Sequence, residues 1–199
     1  MGWREGNVQP EQLTIEEQEL LLRIARQALE EGVMHDRLEP LDPNSVPPRL
    51  KEQGASFVTL TVGGNLRGCI GALEPYQPLV EDVREHTVAA ALQDFRFPPV
   101  QPAELDGIRI EVSRLTVPQP LEYSTPEDLL AKLNPHLDGV VLRDGPQRAT
   151  FLPQVWEKIP DPTDFLDNLC YKMGARPELW RMKHLEVLIY HVEEFQESG

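Results

Sequence analysis

The segment with the clearest chemical potential is residues 65–71, where an arginine and a cysteine stand two residues apart. The segment reads as a β-strand, and side chains alternate along a strand, so Arg67 and Cys69 are expected on one face. Two residues of strand span about 6.6 Å. A guanidinium at that distance favours the thiolate, which is the reactive form of cysteine. The pattern therefore indicates Cys69 as a candidate catalytic thiol, with Arg67 supplying positive charge.

The glycines of the same segment, Gly68 and Gly71, lack a Cβ atom. A ligand or another chain segment can therefore approach the backbone closely, and we include both glycines as candidate ligand-binding residues. A structural interpretation stays open beside this one. In that interpretation Cys69 is a small buried apolar residue, Arg67 pairs with a carboxylate, and the glycines make room for a helix.

A second candidate pair, Asp94 and Arg96, follows the end of a predicted helix. Arg96 could bind an anionic group of a substrate, with Asp94 orienting Arg96 or Arg67 through a bidentate contact. Alternatively, the two side chains satisfy loop carbonyls and the helix end. If Arg67 and Arg96 converge, a small anion should bind between them. We expect Phe95 or Phe97 to anchor this turn in the core.

Two further residues have chemistry that could serve such a site. His86 lies in the predicted helix after the segment and could act as a general base for Cys69, although a hydrogen-bonded core histidine is the preferred interpretation. Cys170 lies on the apolar face of another predicted helix and is interpreted as a core thiol. No Cys or His pair has zinc-ligand spacing, and no phosphate-binding Gly-Lys-Ser/Thr pattern is present. We therefore expect no metal and no cofactor.

The elements around these residues predict an α+β fold with largely antiparallel sheets flanked by helices. Each half of the chain reads as a helix, a hairpin, a helix and a strand, which indicates a structural duplication. In the first half these are residues 14–32, 56–71, 78–94 and 108–117, with a bulge near Ser113. In the second half they are residues 125–133, 139–152, 163–174 and 185–195, the last read as one long strand.

The pattern of elements also suggests a division into lobes. We expect a flexible segment over residues 1–12 and a single two-lobed domain over residues 13–197. The larger lobe is predicted to comprise about residues 13–117 and 160–197, and the smaller lobe about residues 118–159.

Composition excludes several classes of function. The 199 residues carry 33 acidic and 19 basic side chains, a net charge of −14. A surface this acidic argues against unaided binding to nucleic acid or to anionic membranes. No apolar run approaches the roughly 18–20 residues of a membrane helix, and the first residues lack the pattern of a signal peptide. With only two cysteines, we expect reduced thiols and a cytoplasmic location.

The segment Leu66-Arg67-Gly68-Cys69-Ile70-Gly71 resembles the signature of the AMMECR family. Further stretches agree with the family in order along the chain: residues 94–99, 104–105, 112–113, 152–155 and 172–174. The resemblance covers roughly residues 14–195 and implies a two-lobed α+β domain whose biochemical activity is not established. It also implies a pathway shared with Memo-like and radical-SAM proteins.

Together these observations predict a cytoplasmic enzyme or enzyme subunit with a site around residues 67–71, completed by Asp94 and Arg96. The expected substrate is a small anionic molecule or a modified protein residue. The alternative is a non-catalytic binding or adaptor module that presents a ligand or peptide to a partner protein. Catalysis requires an accessible Cys69 thiolate, whereas binding needs only the arginine and glycine surface.

Overall fold

Two antiparallel sheets, each in its own unit, organise the chain. The computed structural model describes residues 12–35 and 37–198, so nearly all of the predicted flexible segment lies outside the described residues. Unit 1 comprises the chain up to Leu115 and again from Glu193 onward, and unit 2 comprises Thr116–Val192. Unit 2 is thus continuous in sequence, whereas unit 1 is built from two pieces of chain.

Five helices and nine strands form these units within the described residues. The helices are α1 (Ile15–His35), α2 (Leu79–Leu92), α3 (Pro126–Lys132), α4 (Pro162–Lys172) and α5 (Leu179–Met182). The strands are β1 (Gln53–Val62), β2 (Asn65–Gly71), β3 (Gln77–Pro78), β4 (Ile108–Leu115), β5 (Gln119–Pro120), β6 (Gly139–Asp144), β7 (Gln147–Phe151), β8 (Glu186–Tyr190) and β9 (Val192–Gln196).

The sheet of unit 1 has the strand order β2-β1-β4-β9, with β3 paired to β1. Helices α1 and α2 pack on one face of this sheet, because both present apolar stripes at helical spacing. Buried residues of α1, α2, β1 and β4 form one core cluster there, among them Leu21, Leu29, Val58, Leu60, Val83, Ile110 and Val112. We call the opposite face, which carries Thr59, Cys69 and Glu111, the outer face of the sheet.

The β1–β2 hairpin forms where the sequence predicts it. Gly63 and Gly64 have φ values of 57° and 81°, a conformation that glycine adopts without the strain of a side chain. β4 has no bulge near Ser113 in its pairing with β1, contrary to the prediction, because the two strands pair without interruption from Ala55↔Leu115 to Val62↔Ile108. The irregularity lies in β2 instead: Leu60 pairs with Gly68 and Thr61 pairs with Leu66. Arg67 is therefore the extra residue of a bulge.

The sheet of unit 2 has the order β5-β8-β6-β7. Its core is built around Trp156 and Phe165, whose rings stack with their centroids 3.6 Å apart. The two units share a local strand order. In unit 1, β1 lies between its hairpin partner β2 and β4, the strand that follows α2. In unit 2, β6 lies between its hairpin partner β7 and β8, the strand that follows α4 and α5. The α+β class is therefore confirmed, and the two units share the repeated order of elements.

Two boundaries differ from the predictions. Residues 160–192 belong to unit 2 and not to the larger lobe, because α4 carries Phe165, Leu166 and Leu169 into the core around Trp156. The predicted strand 185–195 is two strands in different sheets, with β8 in unit 2 and β9 in unit 1. The change of sheet falls at His191, whose backbone N–H donates to the hydroxyl of Thr116 at 2.9 Å.

A search of the described residues for membrane spans finds no helix long and apolar enough to cross a bilayer.

Candidate functional site

Cys69 lies in the middle of β2, which is an edge strand of its sheet. Its side chain is partly exposed on the outer face, opposite Thr59 of β1. The Thr59 hydroxyl donates a hydrogen bond to the sulfur, with an Oγ1–Sγ distance of 3.3 Å. This hydrogen bond holds the sulfur on the outer face beside Thr59.

Asp94 and Arg96 close the free edge of the strand at Cys69. The Asp94 carboxylate accepts the Cys69 backbone N–H at 2.9 Å, and the Arg96 guanidinium donates to the Cys69 carbonyl at 3.1 Å. These two backbone groups would otherwise be unpaired on an open sheet edge. Beside Cys69, the side chains of Asp94 and Arg96 thus take the place of the next strand as hydrogen-bond partners of the β2 backbone.

Asp94 is also the partner that fixes Arg96. Its buried carboxylate accepts from Arg96 Nε at 2.9 Å and from Arg96 Nη2 at 2.6 Å, a bidentate ion pair. These hydrogen bonds hold the pKa of Asp94 well below its usual range. The pKa of Arg96 is raised, chiefly by Asp94 and to a lesser degree by the Cys69 thiol. Because the Arg96 side chain is 44% exposed, it offers a fixed cation beside the sulfur.

Arg67 is held by a carboxylate, as the structural interpretation of the segment has it. The bulge places Leu66 and Arg67 together opposite Thr61, so the side-chain alternation is interrupted between these two residues and not between Arg67 and Cys69. Arg67 forms a bidentate pair with Glu104, at 2.8 and 3.1 Å, and this contact raises the pKa of Arg67. Its Nη1 atom is buried and has no hydrogen-bond partner within the described residues. The cation beside the thiol is therefore Arg96. The binding of one small anion by both Arg67 and Arg96 stays a prediction.

The two glycines of the segment have packing roles. A Cβ on Gly68 would lie 2.1 Å from the carbonyl oxygen of Ala90 in α2. A Cβ on Gly71 would lie 2.4 Å from the ring of Phe57 and from the carbonyl oxygen of Ser56. Gly68 thus makes room for a helix, which agrees with the structural interpretation of that residue. The close approach also holds β2 against α2 and so fixes the position of Cys69.

A carboxylate that the sequence analysis missed, Glu111, lies on the same face as the thiol. Thr59 pairs with Cys69 on one side and with Glu111 of β4 on the other, so the three residues form a row across the sheet. Burial, and secondarily the charge of Glu194, raise the pKa of Glu111. A carboxyl group with a raised pKa suits proton transfer near neutral pH. A sequence signal for Glu111 exists: Ile108, Ile110 and Val112 alternate along β4 toward the core, so Glu111 between them must point to the other face of the sheet.

The remaining candidates are accounted for by packing. His86 contacts Asp82 on α2, with an Nδ1–Oδ2 distance of 3.2 Å, and the same carboxylate accepts from Ser56 at 2.6 Å. Since α2 covers the face opposite to the Cys69 side chain, His86 is a hydrogen-bonded histidine at the core, as preferred. Phe95 is 95% exposed and anchors nothing, whereas Phe97 is half-buried beneath the guanidinium of Arg96, at 5.6 Å.

No group of three or more His, Cys, Asp or Glu side chains that could hold a metal ion occurs within residues 12–35 and 37–198.

Cys170 provides an internal reference for the reactivity of Cys69. It is fully buried in α4, and burial raises the pKa of its thiol. We expect iodoacetamide to modify Cys69 at least about tenfold faster than Cys170 in the native protein, because Cys69 is partly exposed whereas Cys170 is buried and its thiol has a raised pKa. Peptide mass mapping in buffer and in denaturant checks this. Equal native rates for the two cysteines would contradict it.

The chain is similar to known proteins over nearly its whole length. The family model described as AMMECR1 matches residues 22–195. A protein of Thermofilum pendens is 40% identical over 202 aligned residues, covering 94% of this chain and 92% of that protein. A protein of Methanothermobacter thermautotrophicus is 38% identical, covering 94% and 97%. The crystal structure of an uncharacterized protein from Pyrococcus horikoshii superposes with a TM-score of 0.73 at 35% identity, over 94% of each chain.

Proposed function

Because the chain belongs to the AMMECR1 family, as the resemblance predicted, we propose a function at the segment that carries the family signature. The chain acts as an enzyme or enzyme subunit in which the Cys69 thiol performs chemistry on a small anionic molecule or a modified residue. The observation that carries the proposal is the contact set at Cys69. The sulfur accepts from Thr59, and the adjacent Arg96 is fixed by Asp94 and remains half-exposed.

Each neighbour of the thiol has a distinct role in this proposal. Arg96 attracts the anionic group of the substrate and stabilises negative charge on the sulfur. Thr59 donates a hydrogen bond to the same sulfur. Glu111, next in the row across the sheet, holds or releases a proton, because its raised pKa brings its titration toward neutral pH. Arg67 and Glu104 form a bidentate ion pair at the bulge, at the end of the site.

The proposed experiment compares an anionic with a neutral alkylating reagent. A cation beside Cys69 should make iodoacetate react faster, relative to iodoacetamide, than it does with the same cysteine in denaturant. We expect a rate ratio about tenfold higher in the native protein, since opposite charges about 4–5 Å apart at a protein surface attract by 1 kcal/mol or more. Mass mapping of the Cys69 peptide gives both rate constants.

Variants identify the source of the effect. Arg96→Gln should remove the preference for iodoacetate, and Arg96→Lys should restore part of it. Arg23→Gln is the matched control, because this exposed arginine of α1 carries the same charge outside the site, where it forms an ion pair with Glu19. A native ratio equal to the denatured ratio, or an equal loss in Arg23→Gln, would count against an anion-attracting thiol site.

A binding or adaptor module is the second candidate, and specific contacts favour it. Asp94 and Arg96 hold the backbone of Cys69, and Gly68 packs on α2, so β2 is held in place without any use of the thiol. Its partners would include the Memo-like and radical-SAM proteins that the resemblance implies. Complementation of a strain lacking the gene separates the two candidates. If Cys69→Ser complements and Arg67→Ala does not, binding is the function.

A further inference from the structure

A small cavity in unit 2 brings together basic side chains that the Cys69 site does not use. The cavity has a volume of about 130 Å³ and is lined by Tyr123, Ser124, Thr125, Pro126, Trp180, Arg181, Met182, Lys183 and His184. Three of the four residues from 181 to 184 are Arg, Lys or His, in a chain whose acidic residues outnumber its basic ones by 33 to 19. Basic residues are therefore concentrated at this cavity in a chain that is acidic as a whole.

Stacking on aromatic rings holds two of these side chains in place. The Arg181 guanidinium lies over the Trp180 ring, 4.7 Å from its centroid. The His184 ring stacks on Tyr123 with centroids 4.3 Å apart and an interplanar angle of 23°. Both aromatic residues are buried and anchored by their own hydrogen bonds, from Trp180 to Asp167 and between Tyr123 and Leu185. The Arg181 guanidinium and the His184 ring are thus positioned before any ligand binds.

The side-chain donors of Arg181 and His184 are free of hydrogen bonds to the part of the chain that the structure describes. Among the described residues, the Arg181 guanidinium and the His184 ring make no hydrogen bond and no ion pair, whereas Lys183 is paired with Asp144 at 2.5 Å. The hydroxyl of Ser124 makes no hydrogen bond in the same part of the chain. A guanidinium presents a planar set of N–H donors that matches the oxygens of phosphate.

We infer that this cavity binds a tetrahedral oxyanion, namely phosphate or the phosphoryl group of a phosphate monoester. Arg181 provides a bidentate contact, and His184 and Ser124 donate from other sides of the cavity. A space of about 130 Å³ holds a five-atom oxyanion, and the organic part of a monoester would extend outward from it.

The test is a titration of the full chain with inorganic phosphate at constant ionic strength, followed by amide NMR shifts. We expect saturable shifts confined to residues 123–126 and 180–184. Arg181→Gln should weaken binding by about tenfold or more, since a hydrogen bond to a charged group contributes at least that factor. Arg181→Lys, which keeps the charge but loses the planar donors, should fall between Arg181→Gln and the wild type.

Two controls make the result specific. Arg176→Gln removes an exposed arginine of the same unit that does not line the cavity, and Arg96→Gln removes the cation of the Cys69 site. Neither should change the dissociation constant at the cavity. Titration with methyl phosphate distinguishes a monoester from free phosphate as the better ligand. Equal weakening by Arg176→Gln and Arg181→Gln, or shifts that do not saturate, would overturn the inference.

Discussion

Gly68→Ala is expected to destabilise unit 1 more than any other single methyl group added at a glycine of the β1–β2 hairpin. The new Cβ would lie 2.1 Å from the carbonyl oxygen and 3.0 Å from the carbonyl carbon of Ala90. Both atoms belong to the backbone of α2, so no side chain can rotate to relieve the overlap. Either β2 separates from α2 or the helix shifts within a packed core. We expect a loss of about 3 kcal/mol or more in the free energy of unfolding.

Gly107→Ala is the matched control for this prediction. A Cβ at Gly107 would meet only Val62, at an ordinary contact distance of 3.9 Å, and the residue has no positive φ. Its stability should stay within about 0.5 kcal/mol of the wild type. Urea unfolding followed by circular dichroism gives both values, and hydrogen exchange in β1 and β2 locates the effect. Similar midpoints for the two variants would show that the contact with α2 is not tight.

Asp94→Asn is expected to produce the second large effect, because the substitution removes the charge at the centre of the Cys69 contacts. The carboxylate accepts hydrogen bonds from the backbone of Cys69 and from the backbone and side chain of Arg96. An amide of the same size cannot accept all of them. We expect a loss of about 2–3 kcal/mol at pH 7, together with weaker hydrogen-exchange protection of the Cys69 amide.

The dependence of the free energy of unfolding on pH gives a second, independent test of Asp94. Arg96 lowers the pKa of Asp94 in the folded protein, so near the ordinary value of about 3.9 the unfolded chain binds more protons than the folded one. The stability that Asp94 contributes is therefore complete above that value and is lost as the pH falls through it toward the lower pKa of the folded state. Urea midpoints at pH 7 and pH 3 should differ more in the wild type than in Asp94→Asn. Parallel pH profiles would contradict the assignment.

Local sequence signals were sufficient for the elements that carry the site. Gly63 and Gly64 predicted the turn that places β2 beside β1, because the turn needs positive φ values at both positions. Helical spacing of apolar residues predicted α1 and α2, and the Pro at position 78 marked the start of α2. The candidates Cys69, Asp94 and Arg96 were found because the residues that contact one another lie at the end of one helix and on the strand it packs against.

Contacts between distant parts of the chain could not be predicted in this way. Arg67 pairs with Glu104, 37 residues away, and no local pattern identifies which carboxylate an arginine will meet. The bulge at Arg67 depends on the pairing register with β1, and no local pattern in β2 gives that register. The passage of the chain from one sheet to the other at His191 could not be predicted either. Both β8 and β9 have an extended sequence pattern, and they differ only in the strands with which they pair.

The position of unit 2 within the sequence of unit 1 has a consequence for how the chain is made. A ribosome releases α1, α2 and strands β1 to β4 first, then the whole of unit 2, and only afterwards β9. Synthesis proceeds at about 5–20 residues per second, so the edge of β4 that β9 later pairs with stays unpaired for several seconds while unit 2 is made. Unit 2, being continuous, can complete its own sheet during that delay. The newborn chain is therefore most exposed to aggregation, and most in need of a chaperone, along β4.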